Sequence, residues 1–282
     1  MATTSQISQY MRQQLQAIYP EQELQAIISI VMQEVLNYSP VDTVLRADFE
    51  QDDVFFNNIK AITARLLQHE PLQYVLGKAR FHGHDFMVTS ATLIPRPETE
   101  RLVDIIVDEN QQSDLHVLDL GTGCGCIAIS LARALRFPQV EATDISQDAL
   151  AVAQQNALTL KTKVDFRIDD MLNPEIPIHR YHIIVSNPPY VCMSEQEMME
   201  PNVLQYEPAS ALFVPDDDPL LYYRAIAQFA QKALCENGRL YLEINRRFPE
   251  QMHRLLTQHG FSDVRIINDQ YGNPRFATAT LL

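Results

Sequence analysis

Apolar positions follow two rhythms along the chain, and the change between them divides it. From about residue 5 to 77 they recur at helical spacing. Ile7, Met11, Leu15 and Ile18 make one stripe, Leu24, Ile27, Ile28, Val31 and Val35 a second, and Phe55, Ile59, Ile62 and Leu66 a third. The spacing predicts a bundle of three or four helices, broken at Asn37-Tyr38-Ser39-Pro40. Nothing catalytic is arranged on these stripes, so the region is expected to pack or to recognise a partner. Residues 81–88 then read as an extended stretch with Gly83 placed for a turn, a linking hairpin. The two prolines of Ile94-Pro95-Arg96-Pro97 precede a helix that should run to about Glu109, with Pro97 in its first turn.

After Ser113 the rhythm becomes strand, turn, helix. Strands are expected at 115–120, 140–144, 164–168, 182–186, 239–244, 264–268 and 276–281, and helices at about 125–136, 147–158, 219–235 and 247–259. Apolar strands alternating with helices imply a parallel sheet covered on both faces. The last two strands, joined through Asp269-Gln270-Tyr271-Gly272-Asn273-Pro274 without a helix, should form an antiparallel edge hairpin. The resulting division is a helical domain at 1–78, a β-hairpin linker at 79–96 and an α/β domain at 97–282.

Composition narrows the class. Of 282 residues, 46% are apolar and 21% charged, ordinary for a globular protein, and no run supplies the roughly 18 uncharged apolar residues of a membrane span. The first residues lack the basic segment and apolar core of a secretory signal, so a cytoplasmic protein is expected. Lys and Arg number 22 against 36 Asp and Glu, a formal charge of −14, and such a surface repels phosphate backbones. Nucleic acid is therefore disfavoured as a partner. Cys124, Cys126, Cys192 and Cys235 contain no C-x-x-C pair, which predicts reduced thiols rather than disulfides or zinc ligands.

Candidate chemistry gathers at strand ends. Val117-Leu118-Asp119-Leu120-Gly121-Thr122-Gly123-Cys124-Gly125-Cys126 closes the first strand and opens a helix, and its small residues let a ligand approach the backbone. Nineteen residues beyond Gly125, Asp144 closes the second strand, where a carboxylate can accept both hydroxyls of a ribose. Nicotinamide and S-adenosylmethionine sites share this logic. The dinucleotide fingerprint wants a third glycine where Cys126 stands, whereas Asp-Leu-Gly-Thr-Gly-Cys-Gly resembles motif I of class I S-adenosylmethionine methyltransferases. By the same resemblance Asp170 and Met171, after the third strand, would border an adenine.

The fourth strand delivers Asn187-Pro188-Pro189-Tyr190 to the same sheet edge. Two consecutive prolines stiffen the backbone and remove two N–H donors. The Asn187 side-chain oxygen and the Pro188 carbonyl can then accept from a planar NH2 group, against which an aromatic ring can stack. An amide or exocyclic amine is a poor nucleophile because its lone pair is delocalised. Holding it in line with an electrophilic methyl group, with both protons accepted, is what its methylation needs.

Together with Ile94-Pro95-Arg96-Pro97-Glu98-Thr99-Glu100, Glu207-Pro208, Tyr223-Arg224-Ala225-Ile226 and Asp269-x-x-Gly272-x-x-Arg275, these residues resemble the release factor glutamine methyltransferases, the PrmC/HemK family. The resemblance spans nearly the whole chain. It implies a Rossmann-like class I methyltransferase sheet of seven strands with an N-terminal helical bundle and a β-hairpin linker. It implies N5-methylation of the glutamine in the Gly-Gly-Gln motif of class 1 peptide chain release factors, with S-adenosylmethionine converted to S-adenosylhomocysteine and no metal. Carried over, Gly121, Thr122, Gly123, Cys124, Gly125, Asp144, Asp170, Met171 and Asn187 would hold the cofactor. Asn187, Pro188, Pro189 and Tyr190 would hold the glutamine amide, with Asn187, Pro188 and Tyr190 catalytic.

The tetrapeptide also suits adenine-N6 methylation, which stays open as the alternative, opposed by the −14 charge. Two departures from the family pattern stand out. Glu243-Ile244-Asn245-Arg246-Arg247 occupies a place where many members carry a glycine followed by Gln-Gly, and Phe213-Val-Pro-Asp-Asp-Asp-Pro219 replaces a glycine-rich stretch. His82-Gly83-His84 has no further ligands nearby in sequence and reads as linker surface, while His116, His179 and His182 read as structural. Arg96 and Glu98 could touch a ligand or anchor the linker.

Overall fold

The computed structural model describes residues 1–175 and 179–282. By contacts the chain divides into two compact units, Met1–Gly77 with Glu200–Tyr206, and Lys78–Met199 with Glu207–Leu282.

The first unit opens with β1 (Ala2–Thr3) and α1 (Thr4–Leu15), followed by α2 (Glu21–Leu36), α3 (Pro40–Leu45), β2 (Glu50–Gln51), α4 (Asp53–Leu66) and α5 (Leu72–Leu76). Thr3 starts α1 with a reciprocal cap to Gln6, and Ser39 does the same for α3 with Asp42. The three apolar stripes meet in one core built on Ile7, Met11, Leu15, Leu24, Val31, Ile59 and Leu66. Ile18 is the exception: α1 ends at Leu15, so Ile18 sits half-buried in the turn beyond it. Within residues 1–77 two short helices, α3 and α5, raise the count to five, because helices of six and five residues leave almost no periodic signature.

The second unit begins with a hairpin, β3 (Lys78–Phe81) and β4 (His84–Met87). His82 and Gly83 both take positive φ, 45° and 79°, the pairing a two-residue turn needs to match strand twist. Asn156 anchors this hairpin to the rest of the unit. Its side chain exchanges hydrogen bonds with the Met87 backbone at 2.6 and 2.9 Å and donates to the Cys124 carbonyl at 2.9 Å.

Next come α6 (Pro97–Glu109), β5 (His116–Leu120), α7 (Cys126–Ala134), β6 (Gln139–Asp144), α8 (Gln147–Thr159), β7 (Asp165–Ile168), β8 (Tyr181–Ser186) and the short β9 (Val191–Cys192). After α9 (Pro201–Tyr206), which belongs to the first unit, the second unit resumes with β10 (Phe213–Val214), α10 (Leu221–Ala233), β11 (Leu234–Glu243), α11 (Pro249–Gln258), β12 (Phe261–Asn268) and β13 (Pro274–Leu281). The seven-stranded sheet has the order β12-β13-β11-β8-β5-β6-β7, and only β13 runs against its neighbours.

All seven expected strands are present. Several element boundaries shift by one to three residues, and the largest change falls at the start of β11. The expected helix 219–235 stops at Ala233, and Leu234, with a shifted register before Arg239, already belongs to β11. Apolar Leu234 suits either element, and its pairing with Tyr181 decides. At the other end β11 stops at Glu243, leaving Ile244 outside the strand. From central β5 the chain moves to β6 on one side and β8 on the other, which opens a crevice above their carboxyl ends.

Candidate active site

The glycine loop rises from β5 with Gly121, Gly123 and Gly125 all at positive φ (73°, 57°, 83°), a conformation that costs other residues roughly 1–2 kcal/mol. At Gly121 a second constraint applies, since a Cβ there would lie 2.6 Å from the Met171 methyl carbon. Asp119 lies buried beneath the loop. One of its oxygens accepts the Thr122 hydroxyl at 2.7 Å and the other has no hydrogen-bond partner among the described residues. Burial, opposed by the Thr122 hydroxyl, pushes its carboxyl up to about 7.

A cleft of about 250 Å³ opens above these strand ends. Gly121, Thr122, Gly123, Cys124, Asp144, Asp170, Met171, Asn187 and Pro189 all line it, so the sequence-derived residues from four strands converge on one space. Gly125 turns away instead, capping α7 beneath Ala153 and Ile129. Asp144 accepts the Gly123 N–H at 2.8 Å on one oxygen and the Ser146 N–H at 2.9 Å on the other, so each oxygen keeps a lone pair for a ligand hydroxyl. Burial raises the Asp144 carboxyl above its usual range. Asp170 accepts the Leu172 N–H at 2.9 Å, closing the turn that carries Met171 to the loop.

Pro188 and Tyr190 do not line this cleft. With Asn187 they border a smaller recess of about 40 Å³, space for a group of a few heavy atoms. Arg96, Leu93, Ala211 and Asn187 belong to both cavities, so Asn187 stands where the two meet. The Tyr190 hydroxyl points inward and donates to Glu243 Oε1 at 2.9 Å. Burial, then the Glu243 charge, drives this phenol far above its ordinary pKa.

The motifs outside the strands act as scaffolding. Glu207, almost fully buried, accepts the Ile94 N–H at 3.1 Å and pairs with Arg96 at 2.6 Å, which sets Arg96 along the cleft wall. Glu98 lies elsewhere, in a surface hollow with Glu100, Asp104 and Asp269. Thr99 donates to Glu243 at 2.7 Å. Asp269 closes the β12–β13 turn through the N–H groups of Tyr271 and Asn273 and pairs with Arg275. His82 pairs with Asp104 and His84 with Arg133, while His182 accepts the His116 N–H.

Sequence reasoning missed Glu243 and Asn245 as partners of Tyr190. Both were visible only as members of a segment departing from the family pattern.

Comparison with known proteins identifies the family. Residues 6–77 match the family description "PrmC N-terminal domain" and residues 98–205 match "Methyltransferase small domain". A protein of Bacteroides thetaiotaomicron named release factor glutamine methyltransferase is 43% identical, covering 98% of this chain and 99% of its own length. The chain belongs to the release factor glutamine methyltransferase family. A relative of the same name from Flavobacterium psychrophilum is 41% identical over 93% of this chain and 94% of its own. Among solved structures, a methyltransferase of Pyrococcus furiosus aligns with a TM-score of 0.52 at 16% identity, over 77% of this chain and 95% of that one, a likeness of fold. The seven-stranded sheet is thus the methyltransferase fold, and among the described residues no helix is long and apolar enough to cross a membrane.

Proposed function

We propose that this protein transfers a methyl group from S-adenosylmethionine to the side-chain nitrogen N5 of the glutamine in the Gly-Gly-Gln motif of class 1 peptide chain release factors. The observation that carries the reading is the position of Asn187, shared between a cleft lined by the glycine loop and Asp144 and a recess walled by Pro188 and Tyr190. The cleft residues fit the cofactor. A Cβ at Gly121 would push against the Met171 methyl, Asp144 keeps acceptor capacity for ribose hydroxyls, and Asp170 with Met171 would close the adenine side.

When bound, S-adenosylmethionine supplies an electrophilic methyl group. The chain's own residues do the remaining work. Asn187 and the Pro188 carbonyl accept the two amide protons and aim the nitrogen, and the Tyr190 ring fixes the plane of the amide. A cofactor bound there would supply the methyl group for the new bond to this nitrogen, and the amide's surplus proton would leave to solvent. The two carboxylates bonded to residues of the recess are engaged, Glu243 with Tyr190 and Thr99, Glu207 with Arg96 and Ile94. Catalysis is therefore alignment and hydrogen bonding rather than proton abstraction.

The −14 charge opposes the nucleic-acid alternative. Mass spectrometry of an unmethylated release factor, incubated with this protein and S-adenosylmethionine, tests the reading. A gain of one methyl group mapped to the Gly-Gly-Gln glutamine is expected. No gain, with methylation of adenine in DNA, would replace it.

A further inference from the structure

Tyr190 is held at both of its polar ends by residues at and just beyond the carboxyl end of β11. Its hydroxyl donates to Glu243 Oε1 at 2.9 Å, and Glu243, 1% exposed, uses its other oxygen to accept the Thr99 hydroxyl at 2.7 Å. Arg275 stands 3.5 Å from the same phenol oxygen. At the other end the Asn245 amide donates to the Tyr190 main-chain carbonyl at 2.9 Å. Asn245 is itself buried at 5% exposure and fully used. Its nitrogen also reaches Glu195 at 2.9 Å and its oxygen accepts the Arg247 N–H at 2.9 Å.

A carboxylate at the end of a core strand is costly to bury, and an apolar side chain of similar size would pack there without that cost. What the carboxylate adds is a directed acceptor for one phenol. What Asn245 adds is a side-chain donor, from beyond the end of β11, for the Tyr190 main-chain carbonyl. Because both anchors grip the same residue, the ring has one position against the 40 Å³ recess.

We infer that Glu243 and Asn245 are positioning residues for the methyl transfer, a two-point clamp that holds Tyr190 against the recess without touching the substrate. The inference rests on the methyltransferase reading above, and it assigns a role to the segment that departs from the family pattern.

The test uses the full-length protein with Glu243→Ala, Glu243→Gln, Asn245→Ala, Tyr190→Phe and the Tyr190→Phe/Glu243→Ala double variant. A misplacement of about 1 Å at the reacting group costs roughly 100-fold, so kcat should fall by about that factor in Glu243→Ala, with KM for the release factor and affinity for the cofactor unchanged. Glu243→Gln, whose oxygen still accepts the phenol, should recover most of the loss. In the Tyr190→Phe background, Glu243→Ala should add little, the non-additivity expected of groups acting through one contact. Asn245→Ala should lower kcat in the same pattern and carries the test if Glu243→Ala does not fold.

A second readout needs no turnover. In protein labelled with ring-13C tyrosine, the Tyr190 signal, identified by its loss in Tyr190→Phe, should be displaced from free tyrosine and move towards it in the alanine variants. Unchanged kcat and an unchanged ring signal in Glu243→Ala and Asn245→Ala would overturn the clamp, as would additive losses in the double variant. If the wild-type protein methylates no release factor, the functional reading fails while the ring signal still decides whether the clamp exists.

Discussion

The Asp144 carboxylate accepts the main-chain N–H of Gly123 at 2.8 Å, tying the tip of the glycine loop to the end of the neighbouring strand. Under the proposed function one carboxylate would therefore serve two purposes, shaping the loop before a ligand arrives and receiving the ligand's hydroxyls afterwards. Asp144→Ala should weaken binding of S-adenosylhomocysteine by about 1.5–3 kcal/mol, the range for hydrogen bonds to a charged group, measured by calorimetry. Unchanged affinity would remove Asp144 from the site.

Asn187→Ala should abolish turnover while leaving the thermal midpoint close to that of the wild type, because Asn187 is only half-buried and lies outside the main core. Methyl transfer by single-turnover assay checks it. An active variant would sink the proposed alignment of the amide.

Two glycines of the same loop should respond differently to alanine. Both have positive φ, so each substitution carries a backbone cost of roughly 1–2 kcal/mol. Only at Gly121 does the new Cβ meet a neighbour, the Met171 methyl at 2.6 Å, while at Gly123 nothing lies within 4 Å. Gly121→Ala should displace Met171 and lower cofactor affinity beyond the loss seen for Gly123→Ala. Equal losses would argue against Met171 as part of the adenine side.

Asp119 makes the stability of the cofactor-free protein depend on pH. Its folded pKa, raised by burial to about 7, exceeds the ordinary aspartate value of 3.8, so the folded state holds a proton that the unfolded chain has released. Where the folded state binds more protons, stability falls as pH rises. The Asp119 contribution is therefore lost between about pH 4 and pH 7, and it amounts to at most about 4 kcal/mol. Denaturant unfolding of wild type and Asp119→Asn should show curves that approach each other at low pH and diverge towards pH 7, with the variant losing less stability. Parallel profiles would place the ionisation elsewhere.

Glu207→Ala should destabilise the second unit by about 2 kcal/mol or more, since it strands the buried Ile94 N–H and frees Arg96 from its partner. A thermal midpoint within a degree of wild type would show that the 94–100 segment is held by other contacts.

Much of this protein is written in short-range pattern. The helical stripes, the seven strands, the glycine loop and Asn187-Pro188-Pro189-Tyr190 could all be read directly. Periodicity and turn chemistry act over a few residues, and an α/β sheet collects its ligand groups at strand ends by rule. Asp144 and Asp170 were legible for that reason. The short helices α3 and α5 and the helix-to-strand change at Leu234 were not, because five or six residues, or one apolar residue at a boundary, carry too little pattern to choose.

Tertiary structure alone decided what each motif does. Glu207 meets Ile94 across 113 residues, Asn156 meets Met87 across 69 and Glu243 meets Tyr190 across 53. A buried polar group must find a partner wherever the fold brings one, and spacing in sequence holds no record of that choice. Likewise, only the packed molecule separates Asn187, which faces both cavities, from Tyr190, whose hydroxyl turns inward to a carboxylate. The chemistry was thus carried by local sequence, and its alignment by contacts between residues far apart in it.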